Sequence, residues 1–283
     1  MVHLLWITLE VTKMKKLLSY LIKLIIKIKS KDNTLKDRLE TKDKVVKLIT
    51  GKKDARDYVF SSNSVTVIPD KFSIRNLPPV RHQLSIGSCA SHAAVAAYEI
   101  MMLNKNPRRY LEGSELYHYY NARKHVNNTF PRDAGMTIRD SCKTLRDFNM
   151  PTEYVWPYDI KKFNVEPSWA TYATSGMYKV LRYERVITLE EIKQSILEGI
   201  PVVCGIRVYA PYMKLNKSNY IYNSKEGKYY GGHAQTLVSY DNIKKVFTSR
   251  NSWGSGFGNK GYCEIPYDFF SKIGFDYWRI ILK

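Results

Sequence analysis

Apolar residues recur at helical spacing through the first half of the chain's main body and as short runs or alternations through the second. Ala90 to Tyr98 is dense in alanine, the strongest helix former, and predicts a buried helix over about Cys89–Leu103. A tyrosine-rich helix is expected over Ser114–Lys124 and a third over Thr137–Phe148. Thr188 with Glu191 three residues on reads as a capping box for a helix to Leu197, ended by Gly199. Strands are expected over Met177–Ile187, Pro201–Val208, Gly232–Tyr240, Lys245–Arg250, Gly261–Ile265 and Tyr277–Leu282. Helices first and strands afterwards predict an α+β protein of two lobes with a cleft between them.

The N-terminal end breaks this pattern. Met1–Leu9 is apolar, and Met14–Lys29 places Lys16, Lys23 and Lys27 near one another on a helical wheel. Leu17, Leu18, Leu21, Ile25 and Ile28 fall on the other side. That is a basic amphipathic helix, suited to a membrane surface or to the protein's own surface. Lys23 and Lys27 interrupt the apolar run well below the length of a membrane span. Lys23 and the lack of a small-x-small cleavage site also argue against a signal peptide. A further helical pattern, Leu35, Leu39, Val45, Val46 and Ile49, is closed by Gly51. Residues 1–65 carry 15 Lys and Arg against 7 Asp and Glu, a charge of +8 (15 − 7). They read as a separate basic leader, with the main body at 66–283.

Length and composition narrow the function. A chain of 283 residues, 44% hydrophobic with 22 tyrosines, has ample material for a core and is not disordered. The formal charge of +19 is spread along the chain, and no aromatic-interleaved basic motif or zinc-finger spacing accompanies it. Nucleic acid is therefore not expected as the main partner. The four cysteines, Cys89, Cys142, Cys204 and Cys263, are widely spaced and form no Cys-x-x-Cys pair, so no metal site or other cofactor is expected. A dense disulfide framework is excluded by the count. This favours a reducing compartment such as the cytoplasm over secretion.

Cys89 carries the chemistry. It stands where the short polar stretch Gln83–Ser88 meets the alanine-rich helix. The first turn of a helix leaves N–H groups unpaired and carries a partial positive charge, which favours the nucleophilic thiolate. The plain alternative is a small core residue at a helix start. A nucleophile needs a base, and the base an orienter. His92 lies three residues past Cys89 on the same helix face, but would point into helix packing. His233 follows two glycines, Gly231 and Gly232, and precedes an apolar strand that would fix its ring. Asn251 closes a strand before a glycine-rich turn, where its amide oxygen can accept from imidazole N–H and hold the tautomer. Trp253 would cover that bond.

Gln83-x5-Cys89, Gly232-His233-Ala234 and Asn251-Ser252-Trp253-Gly254 resemble, in order and spacing, the papain-like (cathepsin-like) cysteine peptidases. The resemblance runs from about Ile68 to Lys283 and includes Leu77–Arg81, Asp133–Arg139 and Trp156–Asp159; these patches look most like microbial and giant-virus members. It implies a papain-like fold, with a helical lobe bearing Cys89 and a β-barrel-like lobe bearing His233 and Asn251. It implies a cysteine endopeptidase, made as a zymogen, acting on a protein or peptide substrate. Cys89 would be the nucleophile, paired as thiolate with the His233 imidazolium. Asn251 would orient His233, and Gln83 would donate to the oxyanion. Gly135 would pair with the substrate backbone as an antiparallel ladder. Gly232 and Trp253 would line the substrate site, and a monomer is expected. Leu84, Ile86, Ala90, Ala134 and Phe257 depart from the usual pattern without removing a catalytic group. The missing cysteine at Ile86 removes a family disulfide. The leader has a fitting length for an inhibitory propeptide, but not the family's usual propeptide helix pattern; it would block or gate the cleft, or tether the enzyme to a membrane or virion. Two other readings stay open: a silent papain-like binding module, and a Cys–His–Asn amidase acting on non-protein substrates.

Overall fold

The computed structural model describes residues 44–51, 54–61, 67–174 and 179–283. The chain divides into two units, Met1–Lys42 and Asp43–Lys283, and the second is the one described. The calls on Met1–Leu9, on the basic amphipathic stretch Met14–Lys29, and on Leu35 and Leu39 lie outside the described residues. Residues 44–61, which composition assigns to the leader, are part of the second unit.

The helices follow their apolar spacing and their caps. Helix α1 spans Cys89–Lys105 and is buried along most of its length. Its small side chains let other elements approach on several sides. Helix α2, Glu115–Asn121, starts where the Ser114 side chain accepts from Tyr117 N–H, and it continues as one wider turn over Ala122–Val126. Helix α3, Ile138–Phe148, is capped by Thr137, whose hydroxyl accepts from Asp140 N–H at 3.0 Å. Short α4, Trp169–Ala173, was not anticipated. Helix α5, Leu189–Leu197, carries the expected capping box between Thr188 and Glu191. Gly199 follows it with φ +78°, a left-handed conformation that other residues enter at a cost. Short α6 and α7 are Ala210–Met213 and Tyr267–Ile273.

The strands are β1 (Tyr58–Val59), β2 (Lys71–Ser73), β3 (Val180–Val186), β4 (Val202–Tyr209), β5 (Tyr229–Asp241), β6 (Val246–Arg250), β7 (Tyr262–Pro266) and β8 (Gly274–Leu282). They form a sheet in the order β1-β3-β8-β4-β5-β6-β7, with β2 added to β5. Only β1 on β3 is parallel; the other strand pairs are antiparallel. One apolar cluster joins α1, α2 and α3 to one part of the sheet, through Ala94, Leu116, Cys142, Ala234 and Trp278. A second fills the strand-rich side around Val202, Cys204, Tyr212, Leu237, Phe247 and Ile265. Cys142, Cys204 and Cys263 are buried free thiols within these clusters. The fold is the α+β, two-cluster architecture expected.

One local expectation is corrected. Val45, Val46 and Ile49 have helical spacing, yet residues 44–50 are extended. Their backbone groups are met by the body of the protein: Leu48 N–H donates to Gly232 C=O at 2.8 Å, and Ile49 N–H to Met136 C=O at 3.1 Å. Tertiary partners outside the segment outweigh a local helix that would offer only its own few bonds. Among the described residues, no helix is long and apolar enough to cross a membrane.

Candidate active site

The site is built where the start of α1 meets the middle of β5. Cys89 opens α1 and is fully buried, and the backbone N–H groups of Ala234 and Lys47 lie close enough to its sulfur to favour the thiolate. The residue that follows His233 thus lies near the nucleophile candidate. His233 lies on β5 opposite Ile206 of β4 and is fully buried. Its Nε2 is 2.7 Å from Asn251 Oδ1, while its Nδ1 has no hydrogen-bond partner. An acceptor amide at Nε2 fixes the proton there and leaves Nδ1 with its lone pair. Asn251 is itself held: its N–H donates to Gly261 C=O at 3.0 Å, and its Oδ1 also accepts from Ser252 N–H at 2.8 Å.

Trp253 covers this pair. Its ring centroid lies 4.7 Å from that of His233 at an interplanar angle of 32°, and it is 1% exposed. Such a lid excludes water and strengthens the bond beneath it. Gln83 is tied to the same turn, because its N–H donates to Ser252 C=O at 2.8 Å and its Oε1 accepts from Ser252 Oγ at 2.7 Å. That second bond turns its amide nitrogen toward the cleft. There Nε2 donates to Ile86 C=O at 3.0 Å and to Val45 C=O at 3.2 Å.

The extended segment 44–49 occupies this cleft. Lys44 lies over the rings of Trp253 and Phe257 at 5.6 and 5.7 Å. Val45 C=O sits on Gln83, and Lys47 N–H meets the Cys89 sulfur. The Lys47 carbonyl packs on Gly135, where a Cβ would stand 1.8 Å from it; Gly135 also has φ +71°. Gly135 is thus glycine for two reasons, conformation and close approach. Leu48 pairs with Met136 in parallel orientation.

Coverage by this segment changes the charge balance. Burial raises the Cys89 thiol above its ordinary value, against the opposing N–H groups of Ala234 and Lys47. Burial lowers His233 to about 4, against the Asn251 bond that raises it. With the cleft covered, the neutral thiol and neutral imidazole are favoured over the thiolate–imidazolium pair.

A family profile, the papain family cysteine proteases, matches residues 68–275. The chain belongs to this family. An uncharacterized peptidase C1-like protein of Acanthamoeba polyphaga mimivirus is 30% identical over 260 residues, covering 84% of this chain and 83% of its own. Xylellain, a cysteine protease from Xylella fastidiosa, superposes with TM-score 0.73 at 28% identity, over 83% of this chain and 95% of its own. The ragweed pollen cysteine protease Amb a 11, in its proform, shares the fold with TM-score 0.64 at 21% identity, over 78% of this chain and 69% of its own.

Within this papain-family site, His92 lies away from the cleft. Its Nδ1 is 3.1 Å from Ser88 C=O, its Nε2 is 3.9 Å from Glu115, and its ring edge meets Tyr158 at 4.9 Å between centroids. Three residues of the site were not singled out from sequence. Ser252 orients Gln83. Tyr158 OH lies 2.7 Å from both Gln83 C=O and Ser88 Oγ, bracing the loop before Cys89. Asp133 accepts from Gly87 N–H at 2.8 Å and from Tyr119 OH at 2.5 Å. All three lie inside the stretches that carry the family resemblance, Asn251–Gly254, Trp156–Asp159 and Asp133–Arg139, but none was given a role there. Among the described residues, no group of three or more His, Cys, Asp or Glu is placed to hold a metal ion.

Proposed function

We propose that this protein is a cysteine endopeptidase that hydrolyses peptide bonds through Cys89, His233 and Asn251, and that it is made as a zymogen. The observation that carries the chemistry is the His233 Nε2–Asn251 Oδ1 bond of 2.7 Å, under Trp253 and beside Cys89. With the cleft open, His233 Nδ1 takes the Cys89 proton. The thiolate attacks the substrate carbonyl carbon, and the C=O electrons move to oxygen. The Cys89 backbone N–H and the Gln83 side-chain amide donate to that oxyanion. Collapse breaks the C–N bond, and His233 gives its proton to the leaving amine. Water, deprotonated by His233, then attacks the thioester and releases the carboxylic acid and the thiol. Asn251 keeps the ring oriented in both half-reactions.

The zymogen reading rests on segment 44–49. It places the Lys47 backbone N–H near the Cys89 sulfur, and it engages the oxyanion donor Gln83 with Val45 C=O. Its parallel pairing at Met136 opposes the antiparallel ladder expected of a substrate, so it blocks the cleft without presenting a scissile bond in register. Labelling by an epoxide inhibitor of the E-64 type tests both parts. Labelling of Cys89 that rises when the segment is displaced, and vanishes in Cys89→Ala, is expected. A displaced segment with no labelling and no peptide turnover would leave the fold as a binding module.

A further inference from the structure

The segment in the cleft shows what kind of side chain the site beside the nucleophile accepts. Lys47 sits between Gly87 and Gly135, with its backbone N–H near the Cys89 sulfur, so its side chain leaves from beside the reacting atom. That side chain lies across Gly87: a Cβ there would stand 2.8 Å from Lys47 Cδ and 3.0 Å from Lys47 Cβ. Gly87 therefore provides a flat floor for an unbranched aliphatic stem. At the far end the ammonium meets Asp133, with Oδ2 at 2.7 Å and the Asp133 carbonyl at 3.1 Å. The channel is as long as a lysine and ends on a carboxylate.

Asp133 is fixed for this task from behind. Its Oδ1 accepts from Gly87 N–H and from Tyr119 OH, which leaves Oδ2 turned to the channel. The side chain is 20% exposed, so its charge is only partly screened. Lys47 is the cation paired with it among the described residues. The nearby Arg123 is committed elsewhere, to the carbonyls of Pro131, Arg132 and Phe163 and to the Asn164 side chain. Displacement of segment 44–49 removes Lys47 and leaves a half-buried carboxylate facing the cleft without its cation.

We propose that Asp133 is a specificity-determining residue: with the leader displaced, it selects substrates carrying Lys or Arg on the N-terminal side of the cleaved bond. The proposal rests on the peptidase reading above. The residue acylating Cys89 would lay its stem over Gly87, as Lys47 does, and place its cation on Asp133 Oδ2. Its carbonyl carbon would then stand at the sulfur where Lys47 now has its N–H. A neutral side chain of the same length fills the channel but leaves the carboxylate desolvated and unpaired, and an acidic one is repelled.

The test is a panel of fluorogenic peptides differing only at that residue: Lys, Arg, norleucine, Gln and Glu. It is run on the full chain carrying Leu48→Glu, a substitution that drives a charge out of the apolar seat of the segment and so opens the cleft. For a partly exposed, charge-assisted pair we expect kcat/KM for Lys and Arg to exceed norleucine about tenfold, with Glu lowest. Asp133→Asn, added to that chain, keeps an oxygen for Gly87 N–H and Tyr119 OH while removing the charge. The Lys-to-norleucine ratio should fall to within about twofold of unity. Equal turnover of Lys and norleucine peptides before Asp133 is changed overturns this proposal alone. So does a preference for Lys that survives Asp133→Asn. A panel in which no peptide is cleaved and Cys89 is not labelled overturns the peptidase reading, and this proposal with it.

Discussion

Leu48 sets how firmly the cleft is closed, and its truncation gives a worked prediction. The side chain is 9% exposed, and Cδ2 stands 2.8 Å from where a Cβ on Gly205 would be, next to the Phe275 ring. Opening the segment moves this surface into water, so the loss falls on the closed state alone. Leu→Ala in a closed core costs about 2–5 kcal/mol. This seat lies on a surface that opens, which places Leu48→Ala in the lower half, at about 2–3 kcal/mol. At about 1.4 kcal/mol per factor of ten, the open fraction should rise roughly 30- to 150-fold. The backbone bond from Leu48 N–H to Gly232 C=O survives the change, so the segment keeps its path. The assay is the initial rate on a short fluorogenic peptide, before any self-cleavage. A parallel readout is amide exchange at Leu48 and Ile49 in a Cys89→Ala background, where cleavage cannot occur. Both should rise by a similar factor, while α1 amides keep their protection. A folded Leu48→Ala chain whose rate and exchange both stay within twofold of the parent would refute the claim that this seat holds the segment in place.

Asp57 anchors the same segment further along, bonding Arg139 at 2.6 Å and Arg185 at 3.0 Å while 2% exposed; Asp57→Ala leaves two half-buried guanidinium groups less compensated and should raise peptide turnover by the full chain about tenfold or more. Base should weaken the helical lobe: burial pushes Glu115 and Glu153 above the usual carboxylate range, so their contribution is full at acid pH and is lost as pH rises through those raised values, which a fall in Tm from pH 5 to pH 8 would show. Ser252→Ala unhooks Gln83 Oε1 and lets its amide rotate; kcat should fall about tenfold or more with KM little changed, and a change confined to KM would assign Ser252 to substrate binding instead.

Much of the architecture was readable because local and tertiary preferences agree. Alanine spacing after Cys89, the Thr188–Glu191 box and the glycine after α5 gave elements whose ends the structure reproduces closely. Asn251 was readable as a strand-end residue, and β6 does stop at Arg250. Segment 44–49 was not readable as extended chain, because its partners, Gly232, Met136 and Gln83, lie far away in sequence and no pattern within the segment names them. Asp133 was passed over for a related reason: what marks it is the ammonium of Lys47 lying 86 residues earlier in the chain. Helix α7 follows directly on β7 through Pro266, with no polar break to announce it. The roles of Ser252 and Tyr158 depend on their reaching the Gln83 side-chain oxygen and backbone carbonyl, which spacing does not reveal.

The central claim is that Cys89 is a nucleophile kept latent by the chain's own segment 44–49. Mass spectrometry of the purified full-length chain and of its Leu48→Glu variant, incubated with an E-64-type epoxide, tests it most directly. The account predicts a single adduct on Cys89, slow in the parent chain and fast in Leu48→Glu. Equal labelling of the two chains, or an adduct that persists in Cys89→Ala, would contradict it.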